Sequence, residues 1–187
     1  MIDRHGRSIR YLRLSITDLC NLRCRYCMPA EGVPKLAHAD ILRLEEILEV
    51  ARAAVSLGVH KIRITGGGPL VRRGVVDFVR ELAALPGVRT LAMTTNATLL
   101  ADHAAALKEA GLHRLNVSLD TVDAALYATI TRRGQLADAL AGLAVAREVG
   151  LPVKLNAVLI DELFEGERLE DLVRYAASSG FELRLIE

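Results

Sequence analysis

The sequence predicts an α/β fold, organised as a partial barrel of six βα units with parallel strands, helices outside and a polar-lined interior. Two observations lead to this prediction. Short β-branched or leucine-rich segments alternate with alanine-rich segments of helical period along the 187 residues, which is typical of repeated βα units around a parallel sheet. The strand segments also alternate apolar and polar side chains, so each strand has one face of each kind.

The predicted elements follow one another in a regular order. Strands are expected where apolar and β-branched residues cluster, at Tyr11–Thr17, Lys61–Thr65, Thr90–Thr95, Arg114–Leu119, Val153–Leu159 and Glu182–Ile186. Helices are expected where apolar residues recur at helical spacing, at Asp40–Leu57, Val71–Leu85, Leu99–Ala110, Asp138–Val149 and Leu169–Ser178. Several helices are followed by a glycine and then an apolar residue, which predicts left-handed caps at Gly58, Gly111, Gly150 and Gly180.

The chain is expected to form a single domain over residues 1–187. Its length allows one sizeable core, and a hydrophobic fraction of 51% with 25% charged residues is typical of globular proteins. The segment Met28–Ala39, which contains two prolines and a glycine, is the only long irregular stretch in the sequence. No low-complexity linker marks a second domain.

The alternation within the strands predicts where a ligand would bind. Parallel strands that are buried on both faces usually have continuous apolar runs, whereas here Arg13, Ser15 and Thr17 lie opposite apolar neighbours. The same alternation gives the later strands these inward polar residues: Lys61, Arg63, Thr65, Asn116, Ser118, Asp120, Lys154 and Asn156. Burying unpaired cations costs several kcal/mol each, so the interior should be wet or should hold an anionic ligand. A sandwich with one solvated face is the alternative, although so many helices would crowd one side of a flat sheet.

Composition excludes several classes of partner. A net charge of +1 and an aromatic content of 4% argue against a nucleic-acid-binding surface. No apolar run reaches the length of about 18 residues that spans a bilayer, and the N-terminus lacks the apolar core of a signal peptide. All three cysteines lie in one short motif, so no disulfide framework is expected. We therefore expect a cytoplasmic protein that contacts neither nucleic acid nor membrane.

The three cysteines Cys20, Cys24 and Cys27 predict a metal site. They are separated by three and then two residues, just after the first predicted strand. Zinc sites commonly use two cysteine pairs or nearby histidines, and the sequence has neither here. A [4Fe-4S] cluster usually takes four thiolates, so three would leave one iron open to bind a substrate or cofactor.

Polar residues at three later strand ends point to a single site around these cysteines. A glycine-rich loop, Thr65–Pro69, follows the second strand, and the segments Thr94–Asn96 and Ser118–Asp120 follow the third and fourth. Ligands bind at the carboxyl ends of parallel strands, and glycines allow a ligand to approach the backbone closely. Each segment taken alone also fits a tight turn or a hydroxyl cap. Their common level in the sheet favours one shared site.

The cysteine motif and its neighbours resemble a known family. Cys20, Cys24 and Cys27, with Tyr26 before the last, match the CxxxCxxC signature of radical S-adenosylmethionine (SAM) enzymes. The surrounding segments resemble the GTP 3′,8-cyclase family of molybdenum cofactor biosynthesis, over nearly the whole chain. These segments are Arg13–Asp18, Cys27–Pro29, Lys61–Gly67, Thr94–Asn96, Asn116–Asp120 and Pro152–Val158.

This resemblance implies a radical SAM lyase with one [4Fe-4S] cluster on the three cysteines and SAM at its open iron. It implies SAM contacts at Tyr26, Gly67 and Ser118 and GTP contacts at Arg13, Arg63, Thr94 and Lys154. A triphosphate would neutralise three of the inward cations. The implied partners are GTP and an electron donor, and a homodimer is one alternative for the oligomeric state. Lys61 and Asn156 are expected to have packing roles.

The sequence departs from the family pattern mildly at Leu19 and Ala97, where the family usually has arginine and glycine, and more strongly at Gly68 and at the C-terminal end. Gly68 stands where the family has a glutamate that accepts hydrogen bonds from the SAM amino group, which predicts weakened SAM binding with the cluster intact. The family also continues beyond the position of Glu187, through the last barrel helix to a region with a second three-cysteine cluster. We therefore expect a fragment or truncated relative with impaired GTP cyclisation. Another radical SAM enzyme and a non-catalytic metal-binding or interaction module are the alternatives.

Overall fold

The computed structural model of the protein describes residues 2–34, 40–159 and 166–187, and in the last range it describes side chains from residue 169 onward. The irregular segment expected at Met28–Ala39 therefore lies partly outside the described residues. None of the helices in the described part of the chain is both long and apolar enough to cross a membrane.

The central element is a parallel sheet of six strands in the order β1-β2-β3-β4-β5-β6. The strands are β1 Tyr11–Ser15, β2 Lys61–Thr65, β3 Thr90–Thr95, β4 Arg114–Ser118, β5 Val153–Val158 and β6 Glu182–Ile186. Each strand pairs with its neighbour in sequence, as repeated βα units require. Because β1 and β6 do not pair, the sheet is open and forms a partial barrel. The predicted fold class and all six strands are confirmed.

In the described part of the chain, six α-helices connect the strands. They are α1 Leu44–Ser56, α2 Val75–Ala83, α3 Ala104–Glu109, α4 Ala124–Thr131, α5 Leu136–Glu148 and α6 Gly166–Ser179, and a short 3-10 helix spans Pro69–Val71. The predictions place the starts of the first three helices too early. At α1, a Glu46 carboxylate accepts from Arg43 N at 2.7 Å and marks the true N-terminus. At α2, Gly74 with φ of 79° separates the 3-10 turn from the helix.

Helix α4 is missing from the predictions. Four of its eight residues are buried, yet threonine and isoleucine at its end favour strands over helices. A signal for its start was present in Asp123, whose carboxylate accepts from Leu126 N at 2.7 Å as a helix N-cap. The four predicted glycine caps are confirmed, with φ of 98°, 93°, 68° and 71° at Gly58, Gly111, Gly150 and Gly180.

The core lies between the apolar face of the sheet and the helices. Its central side chains come from β2, β3 and β4 and have no exposed surface: Ile62, Ile64, Leu91, Met93, Leu115 and Val117. The opposite face of the sheet carries the polar residues, which are partly exposed on β2 and β5. This arrangement confirms the predicted alternation and leaves the polar face facing the inside of the curved sheet.

Candidate functional site

The cysteine loop, residues 20–27, starts beyond the C-terminal end of β1. Leu22 is buried and holds the loop on the protein body. A tight turn follows, in which Cys27 N and Met28 N both donate to Cys24 O, at 2.9 and 3.1 Å. Cys20 and Cys24 are partly buried, whereas Cys27 is exposed. The loop therefore presents its last thiol to the open rim of the sheet.

The C-terminal end of α4 anchors the cysteine loop. Arg23 N donates to Thr131 O at 3.0 Å, and Arg25 N donates to Ile130 O at 2.9 Å. In return, the guanidinium of Arg132 donates to Arg23 O at 3.0 Å. Sequence reasoning missed this anchor because it missed α4, and the bonds join residues about a hundred positions apart.

The glycine-rich loop after β2 packs against the backbone that leads into Cys20. Gly67 N donates to Thr17 O and Gly68 N donates to Leu19 O, both at 2.8 Å. A Cβ atom at Gly66, where φ is 136°, would lie 2.4 Å from Thr17 O, and one at Gly67 would lie 2.5 Å from Leu19 O. These two glycines are therefore required by close backbone packing in addition to any ligand contact.

Gly68 differs from its two neighbours. Its backbone is extended, with φ of −135° and ψ of 95°, a conformation open to any residue. A Cβ atom there would lie 3.5 Å from both Cys20 Sγ and Asn21 Oδ1, which is ordinary van der Waals contact. The fold does not require glycine at this position, and a side chain placed there would start beside the cysteine loop.

The end of β3 contacts the cysteine loop through Asn96. Its amide nitrogen donates to Asn21 Oδ1 at 2.9 Å and lies 3.8 Å from Cys20 Sγ. Asn21 Nδ2 donates to Thr98 Oγ1 at 2.7 Å, and Thr98 Oγ1 donates to Asn96 Oδ1 at 2.8 Å. The Thr94–Asn96 segment thus reaches the cysteines, whereas nothing in the sequence pattern indicated roles for Asn21 or Thr98.

The end of β4 contacts the loop through Asp120. This carboxylate is only 6% exposed, and it accepts from the Tyr26 hydroxyl and from Val158 N, both at 2.9 Å. Ser118, two residues earlier, is partly buried and lies beside Asn156 in the parallel register. The predicted grouping of strand ends is borne out, because Asn96 and Asp120 contact the cysteine loop and Gly67 contacts the backbone that leads into it.

The Cys24 thiol binds its proton unusually tightly. Burial, followed by the charges of Asp120, Cys20 and Cys27, raises the pKa of Cys24 to about 12. Burial and the neighbouring Asp120 also raise the pKa of Tyr26, and burial raises the pKa of Asp120 itself. Without a cation Cys24 would stay protonated at neutral pH, whereas a bound metal centre would favour its thiolate form.

The donor set fits an iron–sulfur cluster better than zinc. The three thiols lie close enough for Cys20 and Cys27 to raise the pKa of Cys24, and no histidine is hydrogen-bonded to this loop in the described residues. Within the described part of the chain, no group of three cysteine, histidine, aspartate or glutamate side chains could hold a metal ion as it stands. Holding a cluster would therefore require the thiol side chains to move closer together, for which the exposed Cys27 has room.

The inward cations fall into two groups on the polar face. Arg13 and Arg63 are register neighbours on β1 and β2, and Arg63 Nε is buried without a hydrogen-bond partner. The Arg63 and Lys61 side chains stack on Tyr11, at 5.5 and 5.1 Å from the ring centroid, which agrees with a packing role for Lys61. Three inward cations, Arg13, Lys61 and Arg63, are thereby concentrated at the β1 edge of the sheet.

Lys154 belongs to the second group and is not free. It forms an ion pair with Glu182, its register neighbour on β6, and this hydrogen bond lowers the pKa of Glu182. Thr94 and Asn116 are register neighbours, and Asn116 is in turn the neighbour of Lys154. Asn116 Nδ2 and Asn156 Oδ1 are buried without hydrogen-bond partners, so the polar face offers unsatisfied donors and acceptors.

Comparison with protein families settles the class of this site. The sequence profile described as the radical SAM superfamily matches residues 14–176. The chain belongs to the radical SAM superfamily. A [4Fe-4S] cluster and S-adenosylmethionine are the cofactors of this superfamily, and the CxxxCxxC loop described above lies inside the matched residues.

Close relatives extend the comparison. The chain is 52% identical over 188 residues to a GTP 3′,8-cyclase from Peptoclostridium acidaminophilum and 51% identical to one from Geobacter sulfurreducens. Both matches cover the whole of this chain, but only 58% and 57% of the relatives. The radical SAM chain therefore spans little more than half the length of these curated relatives.

Solved structures share the fold at lower identity. Streptococcus suis SuiB bound to S-adenosylmethionine matches 94% of this chain and 40% of that chain, with a TM-score of 0.78 and 19% identity. Methylornithine synthase matches 94% of this chain and 52% of that chain, with a TM-score of 0.76 and 16% identity. These similarities support the partial-barrel fold of radical SAM enzymes.

Proposed function

We propose that this chain is the cluster- and SAM-binding core of a GTP 3′,8-cyclase, which converts GTP to (8S)-3′,8-cyclo-7,8-dihydroguanosine 5′-triphosphate. The observation that supports this most directly is the convergence of three strand ends on the CxxxCxxC loop, in a chain about 50% identical to GTP 3′,8-cyclases over its whole length. The proposed reaction class is a radical SAM lyase reaction. GTP and an electron donor are its proposed partners, with neither nucleic acid nor membrane involved.

Cys20, Cys24 and Cys27 would hold the [4Fe-4S] cluster. When bound, the cluster supplies the single electron that cleaves SAM to methionine and a 5′-deoxyadenosyl radical. The protein's part is to fix the loop that carries the thiols. It does so through the α4 anchor and through the Gly67 hydrogen bond to Thr17 O.

Tyr26, Gly67 and Ser118 are proposed to contact SAM. Tyr26 is held by its hydroxyl bond to Asp120, so its backbone next to Cys27 has a fixed position. Gly67 brings bare backbone to within van der Waals reach of the segment that precedes Cys20. Ser118 is partly exposed on the polar face, where its hydroxyl is available to a ligand.

Arg13, Arg63, Thr94 and Lys154 are proposed to contact GTP. The paired arginines suit bidentate contact with phosphate, and the unpartnered Nε of Arg63 is one donor that a phosphate oxygen would satisfy. Lys154 would have to exchange its Glu182 partner for the triphosphate. This exchange gives up a partly exposed ion pair, whose net contribution is typically below about 1 kcal/mol.

We further propose that residues 1–187 form one radical SAM core domain. The last barrel helix and the second-cluster region implied by the resemblance would lie beyond this domain. GTP cyclisation by these residues alone is proposed to be impaired. A cytoplasmic location is proposed because reduced thiols and iron–sulfur clusters persist in reducing compartments. A homodimer is proposed as an alternative to the monomer.

The test is anaerobic reconstitution of the chain with iron and sulfide, followed by reduction and addition of SAM with and without GTP. The expected products are 5′-deoxyadenosine in both reactions and a GTP-dependent change in its rate, with little cyclised nucleotide. The Arg63→Met variant should keep SAM cleavage but lose the response to GTP. Cleavage indifferent to GTP in the unsubstituted chain would favour another radical SAM enzyme. Bound zinc without sulfide would instead favour a metal-binding module.

A further inference from the structure

We propose that Asn96 is a positioning residue that sets the reduction potential of the cluster by donating an N–H···S hydrogen bond to the Cys20 thiolate. The inference rests on the proposed ligation of the cluster by Cys20, Cys24 and Cys27. It starts from the 3.8 Å approach of Asn96 Nδ2 to Cys20 Sγ, which joins the end of β3 to the cysteine loop.

The orientation of the Asn96 amide is fixed by a neighbouring backbone donor. Thr98 N donates to Asn96 Oδ1 at 3.1 Å, and a backbone N–H has no acceptor capacity. The oxygen of the amide must therefore face Thr98, and the nitrogen must face the cysteine loop. This assignment does not depend on the contact with sulfur itself.

A ring of three side chains then holds that nitrogen in place. Asn96 Nδ2 donates to Asn21 Oδ1, Asn21 Nδ2 donates to Thr98 Oγ1, and the Thr98 hydroxyl donates back to Asn96 Oδ1. Every donor in the ring meets one acceptor, so the ring has a single consistent direction. One N–H of Asn96 is used in the ring, and the second is left for Cys20 Sγ.

Cys20 is thereby the thiol on which two N–H groups converge, because Leu22 N also donates to Cys20 Sγ, at 3.4 Å. Hydrogen bonds to ligating sulfurs stabilise the more negative, reduced state of a cluster and so raise its reduction potential. A donor on a side chain can be removed by substitution, whereas the donor from Leu22 cannot. Asn96 is therefore the donor whose effect on the reduction potential of the cluster can be tested by substitution.

The experiment is an EPR-monitored redox titration of the reconstituted cluster, without SAM, in three chains. Asn96→Leu keeps the approximate shape of the side chain and removes the donor. We expect it to lower the equilibrium constant for cluster reduction about tenfold, which is about 59 mV for a one-electron couple. Asn96→Asp keeps the oxygen that faces Thr98, replaces the donor by a charged oxygen and should lower the potential further.

Thr98→Val is the matched control. It opens the ring by removing the hydroxyl. It leaves Thr98 N bonded to Asn96 Oδ1 and Asn96 Nδ2 bonded to Asn21 Oδ1, and these two bonds keep the amide oriented, so the N–H···S contact should survive. We expect its equilibrium constant to change by at most about twofold. An unchanged potential in both Asn96 variants, or an equal fall in all three, would overturn the inference. Failure of the unsubstituted chain to assemble a cluster would instead contradict the proposed function on which the inference rests.

Discussion

Replacing Gly68 by glutamate should strengthen SAM binding. The resemblance implies a glutamate here that accepts hydrogen bonds from the SAM amino group, and a hydrogen bond to a charged group contributes about 1.5 to 3 kcal/mol. A gain of that size corresponds to a roughly ten- to hundredfold lower dissociation constant. The extended backbone and the 3.5 Å spacing to Cys20 Sγ indicate that a Cβ atom is accommodated here without strain.

The assay is titration of SAM onto anaerobically reconstituted chain, followed through the EPR spectrum of the reduced cluster. Gly68→Gln is the matched control, because it has the same shape and an acceptor oxygen without the charge. Its gain should be smaller, at about 0.5 to 1.5 kcal/mol. Gly67→Ala is a steric control. Its Cβ would lie 2.5 Å from Asp18 O and Leu19 O, so it should weaken SAM binding and destabilise the loop.

Equal SAM affinity in Gly68→Glu and the unsubstituted chain would refute this reasoning, provided that the cluster content of the two chains is the same. A glutamate that abolished cluster assembly would refute the structural part, since the position would then have no room for a side chain. Equal gains with glutamate and glutamine would show that the charge of the side chain does not account for the effect.

Three further predictions concern charge and packing. Because burial raises the pKa of Asp120, the folded chain binds this proton more tightly than the unfolded chain, so the free energy of unfolding should fall as pH rises from the ordinary carboxyl pKa through the raised one. Asp120→Asn should remove that fall in urea titrations at a series of pH values. Glu182→Gln should raise GTP affinity about two- to tenfold, measured by calorimetry, because Lys154 loses its ion-pair partner. As a control, Glu170→Gln breaks the surface pair with Arg174 and should leave GTP affinity unchanged. Ile64→Ala should lower the free energy of unfolding by about 2 to 5 kcal/mol, whereas Val50→Ala, at an exposed position, should change it by less than about 0.5 kcal/mol.

The sheet could be predicted because its pattern is local. The alternation Lys61, Ile62, Arg63, Ile64 assigns each side chain to a face without reference to the rest of the chain, and the structure has the same assignment. The glycine caps are equally local, since a positive φ suits glycine wherever it occurs. Helix α4 was missed because its end has residues with low helix propensity and tertiary burial stabilises it instead.

The site was predicted only at the level of which strand ends meet. The common edge of a parallel sheet brings Gly67, Asn96 and Asp120 to the cysteine loop, and this follows from topology. The pairing of Lys154 with Glu182 depends on the register of two strands, which the sequence pattern does not determine. Likewise, the Asn21 and Thr98 contacts of Asn96 depend on side-chain geometry between segments about 75 residues apart.

The central claim is that Cys20, Cys24 and Cys27 hold a [4Fe-4S] cluster whose open iron binds SAM. The most direct measurement is the EPR spectrum of the reduced, reconstituted chain before and after SAM is added. We predict about four iron and four sulfide ions per chain and an EPR spectrum that shifts when SAM binds. In Cys24→Ser, we predict loss of both the bound cluster and the spectral shift. A cluster spectrum that SAM leaves unchanged, even at saturating concentration in Gly68→Glu, would contradict the claim.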